Sequence, residues 1–358
     1  MENWRTSDFD YQLPEALIAQ RPVERGRSRL LVVDAEAGAR HRSVADLPQL
    51  LRPGDLLIVN DTRVIPARMF ARRRPGGGRV ELLLVEKSGP REWEVLAKPA
   101  RRLRTGSTLE LADGELIAEV VAVGDDGRRR LRFDSDIEPH LERCGHVPLP
   151  PYIRRDDASD DRQRYQTIFA RQPGAIAAPT AGLHFDDELM AALATRGVER
   201  AAVTLHVGLG TFRPVTVDRI ADHQMEAERF EISSATAAAI QTTRAAGGRV
   251  VAVGTTVVRT LESAAAGDGE VRAGSGRTEL FITPGFQFQV VDALLTNFHL
   301  PRSTLLMLVS ALAGQGRPDG ERVGRERVLA AYREAIAEEY RFYSYGDAMF
   351  LERFRARD

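Results

Sequence analysis

Two hydrophobicity patterns follow one another along this chain, and their order constrains its fold more than any other feature. From about residue 67 to 133, short apolar runs alternate with turn signals such as "PGGG", "KSGPR" and "GDDGR". Short strands at this spacing are typical of an antiparallel barrel or sandwich. From about residue 160, amphipathic helices alternate with apolar strands. This second pattern indicates an α/β layer with parallel strands.

The two patterns together predict an α/β protein whose mixed α/β main domain carries an inserted antiparallel β-barrel domain. A strand in "PGDLLIVNDTR" precedes the insertion. The segment "GHVPLPPYIRR" predicts an exit linker, because its prolines cannot pair in a β-ladder. We therefore place the first part of the main domain at residues 1–63, the barrel at 64–152 and the remainder at 153–358. A length of 358 residues suits two domains.

Composition narrows the class of protein. The formal net charge of −1 indicates no nucleic-acid or membrane partner by itself. Cys144 is the single cysteine, which excludes an intramolecular disulfide and a cysteine-built zinc site, and we expect it to be a small buried residue. The most apolar run, "STLLMLVSALAG", is too short to span a bilayer and predicts a buried helix. We expect a cytoplasmic protein with no membrane contact.

The stretch "TLHVGLGTF" first suggests the glycine turn of a dinucleotide-binding site. Gly208 and Gly210 fit the first two glycines of that pattern, but Arg213 stands at the third and Pro214 follows it. The next residues also lack an amphipathic helix of crossover length, so the nicotinamide interpretation fails.

Polar turns follow several predicted strands: "NDTR", "PTAGLHF", "LHVGLGT", "VGTTVVRT" and "LTNFHLPRS". Strand ends of an open α/β sheet form the usual ligand crevice. In "VGTTVVRT" we expect Thr255 or Thr256 to cap the next helix, whose free N–H groups favour a carboxylate or phosphate. Each turn taken singly also fits an ordinary structural role, and the recurrence of small residues, threonine and histidine favours a ligand site.

The sequence gives weaker evidence for a metal site or a nucleic-acid-binding surface than for a ligand crevice. The seven histidines show no ligand spacing on a helix, so we predict no metal. Arginine clusters occur at 72–74, 101–104 and 128–130, all in the predicted barrel. They fit either solvated turns or a surface that tracks phosphates, and the near-zero net charge favours solvated turns.

Longer motifs carry a family resemblance. The stretches "FDYQLPEALIAQRPVERGRSRLLV", "GDLLIVNDTRVIPARM", "GAIAAPTAGLHF", "VTLHVGLGTFRPV", "VVAVGTTVVRTLES" and "TELFITPGFQFQVVDALLTNFHLPRSTLLMLVSA" occur in order over nearly the full chain. They resemble the S-adenosylmethionine:tRNA ribosyltransferase-isomerase family of the queuosine pathway. The resemblance implies an α/β domain with a β-barrel insertion, in agreement with the hydrophobicity patterns.

The resemblance also implies a reaction. The ribosyl part of S-adenosylmethionine would be transferred and isomerised onto 7-aminomethyl-7-deazaguanine at the wobble position of tRNA, giving epoxyqueuosine, adenine and methionine. S-adenosylmethionine is then a consumed substrate, and no further cofactor is expected. We expect the enzyme to act as a monomer.

The resemblance, with acid–base chemistry, suggests site residues. Histidine suits proton transfer near neutrality, because its unperturbed pKa is about 6.5. We predict His184, His206 and Asp61 as catalytic. Arg63 or Arg259 would hold the methionine carboxylate or a tRNA phosphate. The full set of predicted substrate-binding residues is Asn60, Arg63, Thr180, Gly182, Gly208, Gly210, His223, Gly254, Thr255, Thr256, Arg259 and His299.

One position departs from the family pattern. In "DHQMEAERFEI" the family usually has a histidine where this chain has Glu226, whereas His223 and Glu228 remain. We expect Glu226 to play a supporting role. Two other functions stay open from the residues alone: a non-catalytic RNA-binding protein and an S-adenosylmethionine methyltransferase.

Overall fold

A computed structural model describes residues 4–34, 38–125, 127–208, 210, 215–267, 269–317 and 320–353. Arg213 and Pro214 of the glycine-rich stretch therefore lie outside the described residues.

The main domain is built on a nine-stranded mixed sheet. Neighbouring strands across it are, in order, β15 (Gly274–Thr278), β13 (Glu228–Ile232), β12 (Glu199–Leu205), β3 (Leu56–Asn60), β14 (Val250–Val253), β16 (Ala293–Asn297), β17 (Ala348–Glu352), β1 (Arg29–Asp34) and β2 (Gly38–Ser43). The four central strands β12, β3, β14 and β16 are mutually parallel. Their carboxyl ends consequently lie at one edge of the sheet, as the sequence predicts.

Successive side chains of a strand point to opposite faces of the sheet. Because consecutive residues of β3 are apolar, both faces of the sheet are apolar there. In β3, Leu56 and Ile58 pack into the core on one face, and Leu57 and Val59 pack into the core on the other. Such a run of five buried residues is typical of a strand covered on both sides.

The α-helices are α1 (Leu47–Leu50), α2 (Glu138–Cys144), α3 (Asp161–Arg164), α4 (Asp187–Thr195), α5 (Ser234–Ala245), α6 (Thr255–Ala264), α7 (Thr304–Gly314) and α8 (Gly320–Ala337). Helices α1 and α4 pack into the core on one face of the sheet, and α5, α6, α7 and α8 pack into the core on the other. Helix α2 instead packs its Leu141 into the barrel core. Ser233 caps α5 and Ser303 caps α7, each accepting a hydrogen bond from a backbone N–H of the first turn. The predicted buried helix in "STLLMLVSALAG" is confirmed as α7. Among the described residues no helix is long and apolar enough to cross a membrane.

The insertion is a closed antiparallel barrel, as predicted. Its strands are β5 (Arg68–Arg74), β6 (Arg79–Gly89), β7 (Glu92–Lys98), β8 (Thr108–Leu111), β9 (Leu116–Val123) and β10 (Arg128–Phe133), closed in the order β10-β7-β6-β5-β8-β9. Closure removes the exposed edges that an open sheet would leave. Two short strands, β4 (Thr62–Val64) and β11 (Gln172–Ala175), pair beside the main sheet. All six barrel strands lie inside the predicted range 64–152, whose exact limits stay a prediction.

Two local predictions are wrong. Cys144 is exposed, not buried, because it ends the short helix α2, whose buried side chain is Leu141. The strand predicted at "RTELFI" ends at Thr278. The carbonyl of Leu280 instead accepts a hydrogen bond from the Arg259 side chain at 3.1 Å, so it does not serve a β-ladder.

Candidate active site

The carboxyl ends of β14 and β16 open into a pocket. The pocket lies where parallel strands end and helices begin, which is the usual ligand position in an open α/β sheet. The predicted residues that line it are Thr180, Gly254, Thr255, Thr256 and His299, and its other walls include Tyr152, Thr296, Asn297, Ser303 and Tyr343.

The turn from β14 into α6 forms one wall of this strand-end pocket. Gly254 has a φ of 91°, a left-handed conformation that glycine adopts without strain, and it is the N-cap of α6. The prediction that Thr255 or Thr256 caps this helix is therefore wrong, because both threonines lie inside its first turn. Both still face the pocket at the N-terminus of α6, where the helix dipole favours a negative ligand group.

Asn60 fixes the neighbouring strand ends. Its Oδ1 accepts hydrogen bonds from the backbone N–H of Thr62 at 3.0 Å and of Leu205 at 3.1 Å. Its Nδ2 donates to the Leu205 carbonyl at 3.0 Å and to Thr256 Oγ1 at 3.3 Å. Asn60 is buried behind the pocket wall, so the geometry gives it contact with the protein backbone and with the pocket residue Thr256.

His184 lies behind the pocket and reaches it through Asn297. The His184 ring is within hydrogen-bonding distance of Ser28 Oγ at Nδ1 (2.9 Å) and of Asn297 Nδ2 at Nε2 (3.2 Å). Thr180 Oγ1 donates to Asn297 Oδ1 at 3.0 Å. Burial lowers the pKa of His184 to about 4, although the nearby Asp347 carboxylate opposes this shift. The ring is therefore neutral near pH 7.

His299 lines the pocket directly. Its Nε2 lies 2.9 Å from Thr296 Oγ1, and its backbone N–H donates to the Tyr332 hydroxyl at 2.9 Å. Burial lowers the pKa of His299 to about 3. The pocket thus contains a neutral imidazole, which can take part in hydrogen bonds but carries no charge near pH 7.

These two buried histidines predict a loss of stability in mild acid. The pKa of each is below the unfolded value of about 6.5, so the unfolded chain binds more protons and stability falls as pH drops below 6.5. We expect about 1.4 kcal/mol per pH unit per histidine between pH 6 and 4.5, measured by urea unfolding. His184→Gln should reduce this slope. A slope unaffected by His184→Gln would contradict the assignment.

A second cavity, of about 260 Å³, lies between the barrel and the main domain. We call it the interdomain cavity. The barrel contributes Glu86, Glu94 and Arg128, and the main domain contributes Gly174, His206, Gly208, Glu226, Glu228, Arg229 and Arg277. Val207 belongs to the walls of both cavities. The two cavities are therefore adjacent, on either side of the segment that follows β12.

His206 is half-buried in the interdomain cavity. Its Nδ1 lies 2.9 Å from Thr62 Oγ1. Burial is the main reason that its pKa is lowered; Arg229 lowers it further, and Asp61 and Glu231 oppose the shift. Asp61 Oδ1 accepts a hydrogen bond from Thr204 at 2.6 Å. The structure thus brings the predicted residues His206 and Asp61 to one strand end, with the imidazole neutral near pH 7.

Two glutamates of "DHQMEAERFEI" have different surroundings. Glu226 accepts a hydrogen bond from Arg128 of the barrel at 3.1 Å, and Arg128 also pairs with Glu94. Glu228 is deeply buried and pairs with Arg259, while its Oε1 accepts the Gly208 N–H at 2.8 Å. Arg259 also donates to the carbonyls of Leu280 and Thr278, so its guanidinium is committed to the protein.

The remaining predicted site residues lie outside the strand-end pocket. Arg63 is exposed and lies 3.9 Å from Glu142. The His223 ring packs edge-on against Phe281 at a centroid distance of 5.2 Å. A Cβ on Gly182 would come within 2.8 Å of the Thr167 side chain, and one on Gly210 within 3.2 Å of Glu226 Cβ, so close packing explains both glycines.

The arginine clusters of the barrel do not form one surface. Arg129 is buried and donates to the carbonyls of Leu103 and Ala100, so it stabilises the barrel. Arg74 pairs with Glu110 on the adjacent strand. Arg72, Arg101, Arg102, Arg104 and Arg130 are exposed. Within the described ranges, no group of three or more histidine, cysteine, aspartate or glutamate side chains is placed to hold a metal ion.

Sequence reasoning missed several residues of the site. Asn297 connects His184 to the pocket, Ser28 contacts the other ring nitrogen of His184, and the backbone carbonyl of Tyr343 accepts a hydrogen bond from Asn297. Asn297 lies in the quoted stretch "LTNFHLPRS", as the last residue of β16 and two residues before His299. Ser28 precedes β1 and gives no signal in the sequence, because its partner is 156 residues away.

Comparisons with known proteins agree with this architecture. The chain matches the family described as "Queuosine biosynthesis protein" over residues 6–351. It is 57% identical over 350 residues to a protein of Gloeobacter violaceus named S-adenosylmethionine:tRNA ribosyltransferase-isomerase, covering 97% of this chain and 95% of that one. It is 56% identical over 356 residues to a protein of the same name from an Anaeromyxobacter species, covering 98% and 99%.

A solved structure is also similar. The crystal structure of an S-adenosylmethionine tRNA ribosyltransferase from Thermotoga maritima has 38% sequence identity and a TM-score of 0.54, covering 96% of this chain and 100% of that chain. Both the sequence matches and this structural match extend over nearly the whole chain. The protein therefore belongs to the family of S-adenosylmethionine:tRNA ribosyltransferase-isomerases of queuosine biosynthesis, which confirms the resemblance carried by its motifs.

Proposed function

We propose that this protein transfers and isomerises the ribosyl moiety of S-adenosylmethionine onto 7-aminomethyl-7-deazaguanine in tRNA. The product is epoxyqueuosine-tRNA, and adenine and methionine are released. The observation that supports this most is the pair of adjacent cavities, one at the strand ends and one between the domains. A reaction that joins a small nucleoside to a base of a large RNA needs two such places that meet at the reacting atoms.

The strand-end pocket would hold S-adenosylmethionine. The N-terminus of α6, at Thr255 and Thr256, favours the methionine carboxylate through its dipole and free N–H groups. Gly254 lets the ligand approach the backbone closely, and Thr180 offers a hydroxyl. Arg259 is held by Glu228 and two carbonyls. We therefore assign it to support the fold of this wall, not to bind the carboxylate.

The interdomain cavity would admit the modified base. The aminomethyl group has a free pKa of about 10, by analogy with lysine, and must lose a proton before its nitrogen attacks carbon. His206 lies in this cavity as a neutral imidazole, so it is the group that we assign as general base. Asp61, bonded to Thr204 beside it, would orient the site.

The proposed transfer breaks and forms bonds in a definite order. A base removes a proton from the ribose carbon next to the sulfonium, which acidifies it. The electron pair left on that carbon expels the ring oxygen from C4′, which gives an alkene next to the sulfonium, and the freed oxygen forms a carbonyl at C1′ as adenine leaves with a proton. The amine nitrogen bonds to C4′ and loses a proton, and the electron pair returned to the carbon next to sulfur bonds to C1′ and closes the five-carbon ring. The alkoxide at C1′ then bonds to the carbon next to sulfur to form the epoxide, the carbon–sulfur bond breaks, and methionine leaves as a neutral thioether. No oxidant, reductant or metal enters this balance, so we propose that S-adenosylmethionine is consumed without a further cofactor.

Glu226 provides a test of the cavity wall. Glu226→Gln removes the charge but keeps an acceptor for Arg128, so we expect turnover within about tenfold of the unchanged protein, the effect of roughly 1.4 kcal/mol. Steady-state kinetics with modified tRNA measure this, with Glu24→Gln at an exposed site as control. A thousandfold loss with intact S-adenosylmethionine binding would make Glu226 a catalytic base and displace His206 from that role.

Chromatography of the small products tests the proposed reaction. The purified protein is incubated with S-adenosylmethionine and tRNA that carries the aminomethyl base. We expect free adenine and methionine in equal amounts. S-adenosylhomocysteine as the product would indicate a methyltransferase, and tRNA binding without turnover would indicate an RNA-binding protein. An unmodified tRNA is the matched control and should give neither product.

A further inference from the structure

A buried chain of hydrogen bonds runs from Ser28 through His184 and Asn297 to Thr180, at the edge of the strand-end pocket. Its direction is determined by the Tyr343 backbone carbonyl, which can only accept. Asn297 Nδ2 lies 3.1 Å from that carbonyl oxygen, so the amide nitrogen of Asn297 faces Tyr343. The reverse amide orientation would place two acceptor oxygens against each other in a buried site, which is costly.

The other partners of Asn297 follow from this orientation. The second hydrogen of Nδ2 points to His184 Nε2 at 3.2 Å, so Nε2 must accept and the ring proton must lie on Nδ1. That Nδ1–H donates to Ser28 Oγ at 2.9 Å. Asn297 Oδ1 is left to accept the Thr180 hydroxyl hydrogen at 3.0 Å. Every hydrogen of the chain between Tyr343 and Thr180 is thereby assigned.

Thr180 then has a fixed polarity toward the pocket. A threonine hydroxyl carries one hydrogen and two lone pairs. Because Asn297 takes the hydrogen, Thr180 Oγ1 offers only lone pairs to a ligand. Thr180 is half-buried and lines the pocket. A ligand group that donates a hydrogen bond is favoured there, and a group that only accepts is disfavoured.

We propose that Thr180 is a specificity-determining residue that reads a hydrogen-bond donor of the bound nucleoside, either a ribose hydroxyl or the purine amino group, and that Asn297, His184 and Ser28 are positioning residues that hold Thr180 in its accepting state. This assignment rests on the proposed function for the identity of the ligand. It gives His184 an indirect role, through Asn297, in place of direct proton transfer.

Binding of S-adenosylhomocysteine, which cannot react, tests this assignment by calorimetry. Thr180→Val removes the hydroxyl at nearly constant shape and should weaken binding about tenfold. Thr180→Ser keeps the hydroxyl and should stay within about threefold. The measurement is repeated with three analogues of S-adenosylhomocysteine that lack the 2′-hydroxyl, the 3′-hydroxyl or the purine amino group.

The analogue without the donor that Thr180 reads should bind equally to the unchanged protein and to Thr180→Val. The two other analogues should keep the tenfold difference. If all three keep it, or if Thr180→Val has no effect on S-adenosylhomocysteine itself, Thr180 does not read a donor and the proposal is overturned. The pattern of the three analogues also tells a ribose hydroxyl from the purine amino group.

The tautomer of His184, which determines the direction of the hydrogen-bond chain, can be measured without a ligand. Nitrogen-15 NMR of the His184 imidazole should show the Nδ1–H tautomer; the Nε2–H tautomer would overturn the assigned direction. His184→Gln, whose side-chain oxygen can accept from Asn297, should bind S-adenosylhomocysteine within about threefold, and His184→Ala more weakly. If the unchanged protein binds no S-adenosylhomocysteine, the proposed function fails, whereas the tautomer still decides the direction of the hydrogen-bond chain.

Discussion

Replacing His206 with alanine is expected to lower kcat at least about a hundredfold, the typical loss when an acid–base group is removed. The physical reason is the position of this ring in the interdomain cavity, bonded to Thr62 and kept neutral by burial. Steady-state kinetics with modified tRNA give kcat and KM separately, and binding of S-adenosylhomocysteine checks the strand-end pocket.

Two further measurements sharpen that expectation. Because the pKa of His206 is lowered, its proton-accepting form persists below neutrality, and kcat/KM should fall only below about pH 6.5. His41→Ala, at a half-exposed position on β2, is the matched control and should keep full activity. Unchanged kcat in His206→Ala would remove this histidine from the chemistry, and a change in KM alone would assign it to binding.

Glu228→Gln is expected to destabilise the protein by about 3–5 kcal/mol, because it leaves the buried Arg259 guanidinium without its counter-charge. The side chains of Arg259 and Glu228 are only 5% and 4% exposed. The amide oxygen of glutamine can still accept the Gly208 N–H, so the change isolates the charge. Urea unfolding followed by circular dichroism measures the loss.

Glu226→Gln is the matched comparison for stability. It lies two residues earlier, and its pair with Arg128 has side chains 31% and 27% exposed. An ion pair so open to water contributes at most about 1 kcal/mol. Equal losses of stability in the two variants, or a loss of less than 1 kcal/mol for Glu228→Gln, would show that the Glu228–Arg259 pair does not stabilise the fold beside the interdomain cavity.

The fold was predictable from local patterns. The segment that forms β3 has four consecutive apolar residues followed by Asn60, which predicts a buried strand. The segment that forms the barrel has short apolar runs separated by turns that contain glycine. Both signals depend on neighbours in sequence. The end of β15 was not predictable, because the Arg259 side chain takes the carbonyl of Leu280 from another element. Cys144 was misplaced for a similar reason, since composition alone does not tell which face of α2 packs on the barrel.

The candidate site was predictable only in part. The turns that carry Thr180, Gly254 and His299 were identified because glycine, threonine and histidine recur at strand ends. The placement of His206 and Gly208 in a separate interdomain cavity was not predictable, because it depends on how the barrel packs against β13 and β15. The role of Asn297 depends on a carbonyl 46 residues away, and no spacing in the sequence marks such a contact.

The fate of the ribose carbons tests the central claim most directly. The protein is supplied with modified tRNA and S-adenosylmethionine labelled with carbon-13 in the ribose, and in a parallel reaction with deuterium in the methyl group. Mass spectrometry of the nucleosides from the digested tRNA should show all the ribose label in the modified base and none of the methyl label, which leaves with methionine. Methyl label in the tRNA, with the ribose label retained in S-adenosylhomocysteine, would contradict the account.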